Sequence, residues 1–246
     1  MNFSDKKPKN NSQYLIGKKI IKDALANKLP ITELFLSEAN SELKALAKQN
    51  NVRVTMHSLK WFDTQFSKNA YHQGITASID IKNLFKTPDS LLKKVKNKEK
   101  SLILVLDKIV DPRNFGAILR TALATNVDGV IFKTDNQCPV NTTVIKTSMG
   151  AALYLDLVPV ANLRYTIKGF QDNGYWSIAS CLSDDSKNYK DVNADKILLI
   201  IGNEDRGISP LLIKESDYRV KIPIDERIES LNASVAAAIL MFEYRK

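Results

Sequence analysis

Three short segments hold polar side chains whose types and spacing suit ligand chemistry. They are Asp107-Lys-Ile-Val-Asp-Pro-Arg-Asn-Phe-Gly-Ala-Ile-Leu-Arg120, Ile201-Gly-Asn-Glu-Asp-Arg-Gly207 and Ile222-Pro-Ile-Asp-Glu-Arg-Ile-Glu-Ser-Leu-Asn-Ala-Ser-Val235. Each sets glycine, proline or small polar residues where an apolar strand ends and a helix begins. Parallel α/β sheets build their binding sites at such places. In the first segment Asp111-Pro112 marks a turn, because the residue before proline avoids helix. A helix is expected from near Gly116, with Asn114 placed to cap it and Arg120 one turn in. In the second, Gly202 and Gly207 permit tight turns and close backbone approach, and Glu204 lies just past the end of an apolar strand. In the third, Ile222-Pro223 closes a strand and Ser230-Leu-Asn232-Ala-Ser234 opens the final helix, with Ser230 or Asn232 as its cap. Taken singly, each segment also reads as ordinary structure: a cap, a solvated arginine, a polar turn.

The composition weights the arginines. Of the 36 basic residues, 28 are Lys and only 8 are Arg, so an Arg inside a chemical segment is a marked choice. Its planar fork makes two-pronged contacts with phosphate that Lys cannot copy. The net charge of +9 favours an anionic partner such as nucleic acid or an anionic surface. Cys138 and Cys181 are too few and too far apart for a disulfide framework, and a reducing cytoplasm is the expected setting. With His57 and His72 they form no metal-ligand spacing, so no metal is expected. No apolar run approaches the length that crosses a bilayer. Neither a Gly-x-Gly-x-x-Gly nor a P-loop string occurs, which leaves the common dinucleotide and nucleotide sites unsupported.

Hydrophobic patterning supplies the elements that must position these residues. Residues 1–13 are polar and Lys/Asn-rich and read as a flexible arm. Residues 14–81 alternate as a small α/β domain: helix over 16–27, strand 33–36, helix 41–49, strand 52–55, helix 59–66 and strand 75–79. Residues 82–100 carry seven lysines against Asp89 and Glu99, and read as a basic interdomain linker. Leu84, Leu91, Leu92 and Val95 give that linker the spacing of a short amphipathic helix. From 101 onward the chain is regularly βα. Strands are expected at 102–106, 129–132, 157–160, 176–180, 197–201 and 218–222, with helices over 116–125, 141–152 and 163–172 and a last helix over 233–244. Such alternation argues for a parallel sheet covered on both faces.

All three segments, in this order over about 140 residues, resemble the motifs of the SpoU-type RNA ribose methyltransferases of the SPOUT superfamily. The resemblance implies a Rossmann-like parallel sheet whose C-terminal part threads into a trefoil knot. It also implies S-adenosylmethionine held by loops around Gly202, Ile222 and Leu231. The front domain is similar to the substrate-binding domain ahead of some of these enzymes, through Tyr14-Leu-Ile-Gly17, Glu33-Leu-Phe-Leu36 and His72-Gln-Gly-Ile75. Several members of that subgroup act on large-subunit ribosomal RNA. His72 itself is expected to be structural or an RNA contact. Asp225-Glu226-Arg227 departs from the smaller residues expected there.

The implied reaction moves a methyl group to a ribose 2′-hydroxyl of RNA, most readily a guanosine of large-subunit ribosomal RNA. The family pattern puts Arg120 at the reacting hydroxyl, as a base activated by its surroundings or as a clamp on phosphate and ribose. Asn114, Glu204, Ser230 and Asn232 match the other polar motif positions, and a homodimer is expected as in the family. Two further readings stand beside this one: transfer RNA as the substrate, or a non-catalytic RNA-binding or ribosome-assembly protein of the same fold.

Overall fold

The computed structural model describes residues 13–66, 71–183 and 185–245. The expected arm at 1–13 falls almost wholly outside the described residues, and Gln13 opens the first strand. The chain forms two compact units, one of residues up to 84 together with 140–153, the other of 85–139 and 154 onward.

The first unit runs β1 (Gln13–Ile16), α1 (Lys18–Ala26), β2 (Ile31–Leu36), α2 (Ser41–Gln49), β3 (Arg53–Met56), α3 (Leu59–Gln65) and β4 (Ile75–Ile79). Its sheet has the order β1-β4-β2-β3, antiparallel except for the β2/β3 pair. Asn40 and Ser58 cap α2 and α3 through Leu43 N and Trp61 N. Phe35, Trp61, Phe62 and Phe66 form an aromatic core, with His57 stacked on Trp61 at 3.9 Å between ring centres. His72 is buried; its Nδ1 accepts from Gly74 N at 3.0 Å and its Nε2 reaches Asp63 at 3.2 Å. Both ring nitrogens are engaged, so His72 holds the turn before β4.

A helix from far along the chain completes this unit. Sequence pattern makes 141–152 one helix of the C-terminal domain. Instead α6 (Thr142–Thr147), capped by Asn141, belongs to the first unit. Tyr14 N, on the outer edge strand, donates to Thr142 Oγ1 at 3.0 Å, and Thr142 N donates to Gln13 Oε1 at 3.1 Å. An edge strand has backbone groups left over, and Thr142 Oγ1 satisfies the Tyr14 amide, while the Gln13 side chain takes a free amide at the start of α6.

The second unit contains α4 (Pro88–Val95), β5 (Ser101–Asp107), α5 (Pro112–Ala124), β6 (Gly129–Lys133), β7 (Leu157–Val160), α7 (Leu163–Gln171), β8 (Trp176–Ser180), β9 (Lys187–Asn188), β10 (Lys196–Gly202), α8 (Pro210–Glu215), β11 (Tyr218–Lys221) and α9 (Ala233–Tyr244). Its seven strands are all parallel, in the order β7-β6-β5-β10-β8-β11-β9. Every residue of β5 is buried, as a continuous apolar run at the centre of a two-faced sheet requires. The short β9 and α8 carry no periodic signal and were not expected.

Residues 82–100 differ from the linker expectation. Thr87 closes a capping box on α4 with Ser90, and Leu91 and Val95 are fully buried in the core of the second unit. The lysines mask an amphipathic helix that belongs to the sheet. Among the described residues no helix is long and apolar enough to cross a membrane. If α4 is core, Leu91→Ala should lower unfolding free energy by about 2–5 kcal/mol in urea titrations. A loss under about 0.5 kcal/mol would return the segment to the status of a tether.

Candidate active site

The two central strands bring the first two motifs to the same level. In register, Asp107 at the end of β5 lies opposite Gly202 at the end of β10. Asp107 is buried, and its Oδ2 accepts from Ser209 N at 2.7 Å and Ser209 Oγ at 2.6 Å. Lys108 leaves the strand with a left-handed backbone, φ 62°, and its Nζ donates to the same Ser209 Oγ at 2.9 Å. Its carbonyl accepts from Asn203 Nδ2 at 3.1 Å. The loops after β5 and β10 are thus sewn together by the side chains of Asp107, Lys108, Asn203 and Ser209.

The second motif then closes over itself. Asn203 and Gly207 exchange backbone hydrogen bonds at 3.2 and 2.9 Å, and Asn203 Oδ1 accepts from the amides of Asp205 and Arg206. A Cβ on Gly202 would fall 2.3 Å from the carbonyl carbon of Gly207, so only glycine fits.

The first motif reaches this loop from α5. The helix begins at Pro112, not near Gly116, and Asp111 caps it by accepting from Arg113 N and Asn114 N. Proline at the first helical position needs no amide partner, which draws the start four residues earlier. Asn114 is therefore freed from capping. Its Nδ2 donates to Glu204 Oε1, while its Oδ1 accepts from Asn232 Nδ2 at 3.1 Å. Asn232 in turn caps α9, accepting from Ser234 N at 2.9 Å. One polar chain runs Asn232 to Asn114 to Glu204, and it joins all three motifs.

Beside this chain lies a cavity of about 250 Å³. Gly202, Glu204, Ile222, Ser230 and Leu231, all named from sequence, line it. Ser180, Cys181, Leu182, Ile208 and Ile213 line it as well. They were not legible, because β8 becomes a neighbour of β10 only through the strand order. The walls are mainly apolar, with the folded backbone of Asn203–Gly207 as the polar side. Asn114 and Asn232 stand outside the lining and touch it through Glu204.

Arg120 is not brought to the cavity. It is exposed, six residues beyond Asn114, which places it about 120° around the helix. Among the described residues it has no ion pair or hydrogen-bonding partner through its side chain. Asp225 holds Arg227 at 2.8 Å within their own turn, and neither residue lines the cavity. Both cysteines are free, and burial, followed by the Asp111 carboxylate, pushes the Cys138 thiol up.

A model of the SpoU rRNA Methylase family matches residues 101–242, the segment that holds every residue of this site. The chain belongs to that family. A second model, described as RNA 2'-O ribose methyltransferase substrate binding, matches residues 14–85. SpoU relatives include an uncharacterized tRNA/rRNA methyltransferase of Mycoplasma genitalium, 43% identical over 242 residues, covering 98% of this chain and 99% of that protein. Among solved structures, the SpoU methyltransferase AviRb of Streptomyces viridochromogenes in complex with AdoMet superposes with a TM-score of 0.80 at 21% identity, over 94% of this chain and 88% of that one. An AdoMet-bound rRNA methyltransferase of Sinorhizobium meliloti gives 0.78 at 23% identity, covering 94% and 86%. At those identities the two structures establish the SpoU fold and no more.

Asn232 carries two jobs, and they can be separated. Asn232→Asp keeps an N-cap oxygen but loses the donor to Asn114, so thermal stability should stay within about 0.5 kcal/mol of the parent. Asn232→Ala loses the cap and should cost about 1 kcal/mol. Equal losses in calorimetric melting would show that Asn232 is not the cap of α9.

Proposed function

We propose that the protein transfers a methyl group from S-adenosylmethionine to a ribose 2′-hydroxyl in RNA. The observation that carries this reading is the Asn232–Asn114–Glu204 chain, which ties the three family motifs together beside one apolar cavity. The fit to the cofactor is supported by that cavity: it has apolar walls for a base and thioether, and a glycine whose position admits no side chain. Gly202, Ile222 and Leu231 would hold the cofactor. When bound, S-adenosylmethionine supplies a methyl group on a positively charged sulfur, which is already a reactive leaving group. The C-terminal trefoil knot implied by the family resemblance belongs to this reading; its loops would be those around Gly202, Ile222 and Leu231.

The chain's own residues orient the acceptor. Glu204, fixed by Asn114, faces the cavity with an acceptor oxygen for a hydroxyl or amine. Ser230 adds a hydroxyl on the same lining. Arg120 acts as a clamp rather than a base: a guanidinium is an awkward proton acceptor, and its exposed fork, on another side of α5 from the cavity of its own chain, suits a phosphate of the bound RNA. Large-subunit ribosomal RNA is the favoured substrate, ahead of transfer RNA, because the front domain resembles that of a subgroup in which several members act on it; the model matching 14–85 names RNA without choosing between the two.

A homodimer is part of the proposal. On α9, Val235 and Phe242 stand one face apart by seven residues and are 46% and 62% exposed, and Leu123 is exposed on α5, which packs against α9. Such an apolar stripe on two adjoining helices suits a second copy of the chain.

Titration calorimetry with S-adenosylmethionine should give saturable binding near one molecule per chain. Arg120→Ala should keep that binding within about twofold while lowering methyl transfer by about 10²-fold or more. Absence of cofactor binding by the folded wild-type protein would end this reading. Full activity of Arg120→Ala would remove Arg120 from the mechanism.

A further inference from the structure

Five of the eight arginines have a carboxylate partner, from Arg164 on Glu215 at 2.6 Å to Arg245 on Asp128 at 3.7 Å. Among the described residues, the guanidiniums of Arg113, Arg120 and Arg206 have none. All three are exposed, and all three lie in the first two motifs. Arg206 lines the cavity, and Arg113 adjoins Asn114, whose amide reaches Glu204. Of the carboxylates near them in the chain, Asp111 and Glu204 are engaged elsewhere, and Asp205, adjacent to Arg206, makes no ion pair with it among the described residues. Asp111 accepts from the first amides of α5, and Glu204 accepts from Asn114.

A chain can neutralise an arginine by a neighbouring carboxylate at little cost, and this one does so at five positions. Leaving a fork unpaired at Arg206, on the cavity lining, and another at Arg113, next to Asn114, raises the local positive potential and keeps their N–H donors free. The acceptor that matches such a fork is an oxyanion with two oxygens in one plane, presented from outside the protein.

We propose that Arg113 and Arg206 form a phosphate-reading rim, each gripping a phosphodiester of the RNA strand that flanks the nucleotide at the cavity. Arg206 holds the strand on the side of the second motif and Arg113 on the side of α5, so the ribose between them is set against Glu204. Their contacts read the backbone and not the bases, so they set register and affinity without choosing sequence. This inference rests on the RNA-methylating reading and adds the strand contacts to it.

The test measures binding of a fluorescein-labelled single-stranded oligoribonucleotide to the full chain across a salt series, by fluorescence anisotropy. Arg113→Gln and Arg206→Gln should each weaken binding about threefold or more at low salt. Each should also flatten the slope of log affinity against log salt by about 0.7. Arg164→Gln, which removes the same charge from a paired arginine, should leave the slope within error of the parent. Unchanged slopes in Arg113→Gln and Arg206→Gln, or an equal change in Arg164→Gln, would overturn the proposal. Circular dichroism melts establish that each variant is folded, and Arg206→Lys, keeping the charge, should restore most of the slope. Calorimetry of the wild type with S-adenosylmethionine separates the two readings. Cofactor binding with unchanged salt slopes defeats the rim alone, while no cofactor binding defeats the methyltransferase reading.

Discussion

The site depends on one register: β5, fully buried, and β10, buried except at its two end residues, lie side by side and end at the same level, Asp107 against Gly202. Two apolar strands that stop together inside a closed core leave their last polar groups in need of partners. Asp107 meets that need by taking both the amide and the hydroxyl of Ser209. A buried carboxylate without such donors would be costly, so the loop after β10 has little freedom to lie elsewhere. Lys108 adds its ammonium to Ser209 and its carbonyl to Asn203, and the second motif is fixed by the first.

From that fixed loop the rest of the site follows in order. Asn203 folds the second motif over Gly202, which presents Glu204 to the cavity. Asn114 reaches Glu204 only because Asp111 and Pro112 start α5 early and relieve Asn114 of capping. Asn232 then closes the chain from α9, and it does so while capping that helix. Each amide donates in one direction and accepts from the other, so the chain is polarised toward the carboxylate. Such a network is rigid when every member is satisfied, which suits a group that must hold a substrate hydroxyl in one place.

Much of this was legible in the residues. The buried strands show as unbroken apolar runs whose ends put Gly202, Glu204 and Ile222 in loops, and the family resemblance added Ser230 and Leu231; all five line the cavity. What was not legible depends on contacts between distant parts of the chain. The spacing of Leu91 and Val95 showed an amphipathic helix amid the lysines, but that this helix packs into the core of the second unit shows only once a sheet exists to receive it. The assignment of α6 to the first unit turns on the edge amide of Tyr14, which no local pattern reveals. Asn114 and Arg120 share a helix and a motif, yet helical geometry points them to different sides. The pairing of five arginines with carboxylates, and the absence of such pairing at three among the described residues, is likewise a property of the folded chain alone.

The central claim is that this polarised site serves a ribose hydroxyl of RNA. It is tested most directly by mapping ribose 2′-O-methylation across total RNA from cells with the protein and from cells lacking it. The expected result is the disappearance of one 2′-O-methyl mark, at a guanosine of large-subunit ribosomal RNA, restored by the wild-type chain and not by Arg120→Ala. Identical maps with and without the protein would contradict the claim. Loss of a mark confined to transfer RNA would keep the chemistry and overturn the substrate.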